Sequence, residues 1–151
     1  MNKKVTNMFE DIFAAADPSE KEDRKEQLFR AQKQEFIEDL KSRVSDGVVK
    51  GNIDVPSKLF NFNLDGIPVK NIKKVNGFVD ISNNELTSLK GMPEVVLYDF
   101  YANDNKLTSL DGAPKEVKGN VYLSKNPGPN GKGFTEDEVR AKINVRGRVT
   151  C

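Results

Sequence analysis

Val79-Asp80-Ile81-Ser82-Asn83-Asn84-Glu85-Leu86-Thr87-Ser88-Leu89-Lys90-Gly91-Met92-Pro93 returns as Phe100-Tyr101-Ala102-Asn103-Asp104-Asn105-Lys106-Leu107-Thr108-Ser109-Leu110-Asp111-Gly112-Ala113-Pro114, at an offset of 21. A third copy starts at Val121-Tyr122-Leu123-Ser124-Lys125-Asn126 and breaks at Pro127-Gly128-Pro129-Asn130-Gly131. Upstream, Leu64-Asp65-Gly66-Ile67-Pro68 matches the end of the unit. Self-similarity at a fixed period marks an array of stacked units, so the repeat sets the expected fold. In each unit the first two apolar residues share one face of a short strand and point inward. The asparagine turns the chain, and its amide can satisfy backbone groups exposed at the bend, so Asn84, Asn105 and Asn126 are expected to stack as a buried ladder. Leu86 with Leu89, and Leu107 with Leu110, fill the interior from the returning arm. Gly91 and Gly112 permit a turn with positive φ, and Pro93 and Pro114 begin an extended back segment. Antiparallel hairpins turning at Asn83-Asn84 and Asp104-Asn105 are the competing reading.

Apolar-x-apolar-x-x-Asn-x-Leu-x-x-Leu is the leucine-rich pattern. The run Asn84 to Pro93, its copy Asn105 to Pro114, and the segment Phe134-Thr135-Glu136-Asp137-Glu138-Val139-Arg140 resemble short leucine-rich-repeat proteins of tailed bacteriophages. Those proteins carry Asn-x-Leu-Thr-Ser-Leu-x-Gly-x-Pro units and close with Phe-Thr-x-x-x-Val-Arg. The resemblance covers about residues 63–150 and implies a phage origin and a fold, with little about activity. The chain departs from it in having few repeats and a long charged N-terminal part. The expected class is α+β: a short leucine-rich-repeat solenoid of about two full and two partial 21-residue repeats, N-terminal helices, and a C-terminal helix-strand cap.

A unit of this kind cannot bury its own apolar face, so both ends need covers. At the C-terminus Thr135-Glu136-Asp137-Glu138 reads as a capping box opening a helix to about Ile143, and Ile143 to Val149 alternates like a closing strand. At the N-terminus Asp17-Pro18-Ser19-Glu20 starts a helix expected over about residues 18–44. Its first half has no apolar residue from Lys21 to Gln27. Phe29, Phe36, Leu40 and Val44, with Ile37 beside them and Leu28 at the edge, form a stripe for docking on the first repeat or on a second copy of the chain, which would make a homodimer. A shorter helix is expected at about residues 7–15, where Met8, Phe9, Ile12 and Phe13 share one side and either fold back or anchor a partner. Residues 1–47 thus form a helical segment, and 48–151 the repeat domain with its cap from about 134.

Composition narrows the function. The 151 residues contain no histidine and no tryptophan, and Cys151 is the only cysteine. The commonest general base, the commonest metal ligand and any intrachain disulfide are therefore missing. No catalysis, cofactor or metal is expected, and Cys151 reads as a free thiol. Asn126 to Gly133 lacks the spacing of a phosphate loop, and Asn103-Asp104-Asn105 lacks the remainder of a calcium loop. No stretch approaches the roughly 18 apolar residues of a membrane span. Thr6, Asn7, Glu10 and Asp11 interrupt any export signal near the start, so the expected location is the host cytoplasm, or alternatively the virion.

Strand residues between the inward ones face the concave side and make the expected binding surface. The central row is Asp80, Tyr101 and Tyr122, flanked by Phe78, Asp99 and Asn120 and by Ser82, Asn103 and Ser124. Neighbouring tyrosines form a rigid amphipathic platform for a protein partner; the plainer option is that they stack on each other. A non-catalytic protein-binding module that inhibits or redirects a host protein is the leading expectation. A virion component anchored by the N-terminal helices is the second. Nucleic-acid binding ranks third; it would use Arg140, Lys142, Arg146 and Arg148 in a C-terminal part that holds eight Lys or Arg against four acids from Gly112 onward.

Overall fold

Asp17 opens the longest element because its carboxylate accepts from the Ser19 amide at 2.9 Å while Pro18 supplies a preset first helical φ. Residues 17–59 and 72–151 are described by the structure, a computed structural model. The short helix expected at 7–15, with Met8, Phe9, Ile12 and Phe13, and the partial repeat Leu64 to Pro68 lie outside the described residues. Helix α1 spans Pro18–Arg43. Contacts divide the chain into residues 1–35 and 36–151, inside α1 and upstream of the boundary expected after residue 47. In the first unit, Glu20–Arg24 and Glu26–Arg30 are i,i+4 ion pairs on an exposed surface.

The second unit shows why the division falls so early. Leu40 is fully buried, and Arg43, held by Asp39 at 2.7 Å, donates to the carbonyl oxygens of Lys50 and Asn52. The end of α1 is therefore tied to the segment that leaves the hairpin next in the chain. In it β1 (Val44–Ser45) runs antiparallel to β2 (Val48–Val49). Asp46 and Gly47, with φ of 52° and 76°, make its turn, the Asp-Gly pairing that two-residue hairpins favour.

From there the chain alternates between two sheets. Strands β3 (Ile53–Asp54), β5 (Val79–Asp80), β7 (Phe100–Tyr101), β9 (Val121–Tyr122) and β11 (Val149–Thr150) form one; β1, β2, β4 (Lys74–Val75), β6 (Val95–Val96), β8 (Glu116–Val117) and β10 (Asn144–Val145) form the other. Every pairing except β1–β2 is parallel. The class is α+β. Val79 pairs with Phe100 and Phe100 with Val121, so the repeat offset is the strand register, and hairpins at Asn83-Asn84 and Asp104-Asn105 are not formed. The core fills the space the alternation encloses. Val79, Ile81, Phe100, Ala102, Val121 and Leu123 enter it from one sheet, Val75, Val96 and Val117 from the other, and Leu86, Leu89, Leu107 and Leu110 from the connections, all buried.

Asn84, Asn105 and Asn126 form the expected ladder. Asn105 Nδ2 donates to Ile81 O at 2.9 Å and Ala102 O at 3.1 Å, while its Oδ1 accepts from the amides of Leu86 at 2.9 Å and Asn84 at 3.2 Å. Asn126 repeats this one unit on, with Nδ2 on Ala102 O and Leu123 O and Oδ1 on the Leu107 amide. One amide thus ties two successive turns together.

Helix α2 (Glu136–Lys142) covers the C-terminal end, with the capping box in place: Thr135 Oγ1 accepts from the Glu138 amide at 3.3 Å and Glu138 Oε2 from the Thr135 amide at 2.8 Å. Val139 and Ile143 are buried beneath it. The segment after α2 is not one closing strand, as its alternation suggests. It splits into β10 and β11, which join different sheets. Gly147 sits at the corner between them, where a Cβ would come within 2.5 Å of Asn120 Oδ1 and Gly119 O. Arg140 here repeats the device of Arg43: pinned by Glu136 at 2.7 Å, it donates to the carbonyl oxygens of Val145 and Gly147.

Candidate functional site: the outward face of the second-unit sheet

In the sheet β3-β5-β7-β9-β11 the parallel register places Asp54 beside Asp80, Asp80 beside Tyr101, and Tyr101 beside Tyr122. Because side chains alternate across a strand, these point away from the core. Phe78, Asp80, Ser82, Asp99, Tyr101, Asn103, Asn120, Tyr122 and Ser124 are all half-buried on this face. The sheet therefore gathers the expected residues, with Asp54 and Thr150 extending the central row at its edges.

The rings are ordered against each other. Tyr101 and Tyr122 stack with centroids 4.7 Å apart and planes 3° from parallel, and Phe78 meets Tyr101 edge-on at 6.1 Å. The plainer option, that the tyrosines stack on each other, is what the structure shows, and the stacked pair is half-buried on the outward face. The Tyr101 hydroxyl donates to Asp99 Oδ2 at 3.0 Å. Desolvation raises its pKa, assisted by that hydrogen bond, the Asp99 charge, Tyr122 and Asp80, so the phenol stays protonated at neutral pH. The Asp80 carboxylate accepts from both the amide and the hydroxyl of Ser82.

Two of the expected binding residues also brace the backbone. Asp99 Oδ1 accepts from the Asn120 amide at 2.7 Å, and Asn120 Oδ1 accepts from the Arg148 amide at 2.8 Å. Asn52 does the same for the Phe78 amide at 3.1 Å. Each brace closes over a glycine in the next strand connection. A Cβ on Gly77 would meet Asn52 Oδ1 at 2.3 Å, and one on Gly119 would meet Asp99 Oδ1 at 2.2 Å. Brace and glycine therefore come as a pair.

The pair is missing once. Phe78 stands where Asn52, Asp99 and Asn120 stand in their own connections and has no oxygen to brace with. In the next connection the glycine position is taken by Tyr98, 63% exposed and the one exposed large hydrophobic residue among those described. With no brace oxygen in the way, a side chain fits there. Tyr98 is not among the expected site residues. Its signal is in the sequence: Val49-Lys50-Gly51-Asn52-Ile53, Val75-Asn76-Gly77-Phe78-Val79, Val117-Lys118-Gly119-Asn120-Val121 and Val145-Arg146-Gly147-Arg148-Val149 align with Val96-Leu97-Tyr98-Asp99-Phe100.

The basic C-terminal cluster is largely engaged elsewhere. Arg140 is held by Glu136, Lys142 lies 3.6 Å from Asp111, and Arg146 lies 3.1 Å from Glu116. Cys151 is at the surface, and desolvation followed by the Glu136 and Glu138 charges pushes its thiol up, away from the thiolate. Among the described residues no three of His, Cys, Asp or Glu stand together as a metal site, and no helix is long and apolar enough to cross a membrane. No protein-family model, curated protein or solved structure matches the chain.

Proposed function

We propose that the protein is a non-catalytic protein-binding module, a short leucine-rich-repeat solenoid of a bacteriophage that engages a host protein through the outward face of β3-β5-β7-β9-β11. The observation that carries the binding reading is the aromatic run Phe78-Tyr101-Tyr122 on that face, with Tyr98 exposed beside it. A tyrosine left in water at the one point where the brace-and-glycine device is interrupted, beside half-buried rings, is the kind of local sacrifice that marks an interaction surface. Tyrosine supplies broad contact area with few rotatable bonds, which is why it anchors interfaces. The leucine-rich assignment is supported by the repeating strand register and by the asparagine ladder. The phage and host assignment is supported by the repeat and C-terminal motifs, and it puts the working protein in the host cytoplasm.

The test is capture of the tagged protein from phage-infected cells, side by side with a Tyr101→Ala, Tyr122→Ala variant. A stoichiometric host protein is expected with the wild type and at least about tenfold less of it with the variant, the size of loss typical of two interface anchors. Equal recovery with both would overturn the face. Recovery of phage structural proteins alone would replace the host-directed reading with a virion component.

A further inference from the structure

Ion pairs on the repeat run from one unit to the next. Lys106 lies 3.4 Å from Glu85, Lys115 lies 3.0 Å from Glu94, and Lys125 lies 3.0 Å from Asp104. In each case acid and base are one repeat apart in the sequence, so the cation of one unit answers the anion of the unit before. The outward face of β3-β5-β7-β9-β11 breaks this rule. There Asp54 and Asp80 are register partners on adjacent strands, and like charges directly opposite each other are destabilising. Among the described residues neither carboxylate has a cationic partner. Asp80 accepts from Ser82, which holds it in place and leaves its charge uncancelled; the exposed Asp54 carboxylate accepts no hydrogen bond from any described residue. Asp99 adds a third negative group in the next strand connection. Arg148, the cation at the position matching Asp99, stands beside β11, at the opposite end of the sheet order from β3.

The acids adjoin the aromatic run. Asp80 pairs with Tyr101, whose ring Phe78 meets edge-on. A carboxylate pair beside aromatic carbon matches one kind of side chain well: a cation at the end of an apolar stem, which puts its charge against the acids and its methylenes against the rings. We propose that this face takes a basic segment of the partner, with an arginine or lysine side chain seated at Asp54 and Asp80 and its stem on Phe78 and Tyr101. The inference rests on the protein-binding reading above and adds the chemistry of the partner. It gives the in-register acids a role: they are matched when the partner is bound, and their mutual repulsion in the free protein favours association with positive charge.

The probes are two synthetic peptides of equal length, one with three arginines spaced by Gly-Ser and the other with citrulline at the same places, titrated into the full chain labelled with 15N. Citrulline keeps the stem and the planar head and removes the charge. The arginine peptide is expected to shift amides of Asp54, Phe78 to Ser82 and Tyr101, with affinity falling as salt rises. The citrulline peptide is expected to bind at least about fivefold more weakly, as a lost ion pair of about 1 kcal/mol implies. Asp54→Asn, which removes a carboxylate that accepts no hydrogen bond from any described residue, is expected to weaken the arginine peptide about threefold and to leave amides away from position 54 unmoved. Equal binding of both peptides, or no dependence on Asp54, would overturn the cationic assignment while the capture experiment continues to report on the face itself. Shifts confined to other surfaces, or none with either peptide at millimolar concentration, would overturn it as well.

Discussion

Replacing Asn105 by leucine is expected to lower the melting temperature by about 10 °C, the equivalent of about 3 kcal/mol for a chain of this size. Leucine keeps the branch at Cγ but is bulkier than the planar amide, so the loss combines the missing hydrogen bonds with crowding of a filled site. With Oδ1 gone, the buried amides of Asn84 and Leu86 lose their acceptor, and a buried donor left without a partner costs about 1–3 kcal/mol. With Nδ2 gone, the carbonyl oxygens of Ile81, Ala102 and Asn103 each lose a donor. Asn103→Leu is the matched control. Asn103 lies two residues earlier on the outward face, and its side chain makes one long contact with Asp104 at 3.3 Å, so a change within about 1 kcal/mol is expected. Thermal melts of the two variants check both statements; equal losses would mean that the ladder does not hold the turns together.

Gly119→Ala is expected to destabilise by about 2–4 kcal/mol, the upper range for forcing atoms into a filled site. The added methyl would lie 2.2 Å from Asp99 Oδ1 and 2.6 Å from the Tyr98 carbonyl carbon. The carboxylate could rotate away, at the expense of the 2.7 Å bond it accepts from the Asn120 amide. The backbone atom has no such freedom. Tyr98→Ala, at the equivalent point one unit earlier, trims an exposed side chain from a place that already accommodates a Cβ, and it is expected to change stability by less than about 1 kcal/mol. Urea denaturation of both variants separates the cases. Similar values would remove the pairing of brace and glycine as the reason for the exposed tyrosine.

The parts of this fold that can be read from sequence are those that repeat at one spacing. Asn84, Asn105 and Asn126 recur at a constant interval, as do the inward residues of β5, β7 and β9, and their register follows directly. The outer strands are harder to read because their spacing is irregular: the brace from Asn52 to Phe78 steps 26 along the chain, and the one from Asn120 to Arg148 steps 28. A search at one fixed period passes over them, and the count of two full and two partial repeats understates a sheet of five strands. The second sheet is hidden for another reason. In the first sheet a second buried residue follows two positions on, at Ile81, Ala102 and Leu123, whereas β4, β6 and β8 bury one valine each, Val75, Val96 and Val117, too little to display alternation. Asp46-Gly47 suits the end of a helix and equally carries the chemistry of the hairpin turn that the chain makes there.

On the candidate face, the alternation of side chains across a strand is enough to place Asp80, Tyr101 and Tyr122 in one row. It does not separate residues that present themselves to solvent from residues that brace the backbone. Asp99 and Asn120 look like surface polar groups until their oxygens are found on the amides of the next connection. The distinguishing mark is a glycine one position ahead in the following unit, and Tyr98 stands out because it breaks that mark.

The most direct measurement places a photo-crosslinking benzoylphenylalanine at Tyr122 on the proposed face and, in a separate variant, at Val95, an outward position of the other sheet, and irradiates each in infected cells. Crosslinking of one host protein from position 122 and not from 95 is the expected result. Crosslinking of that protein from 95 alone would contradict the account and move the binding surface to the opposite sheet.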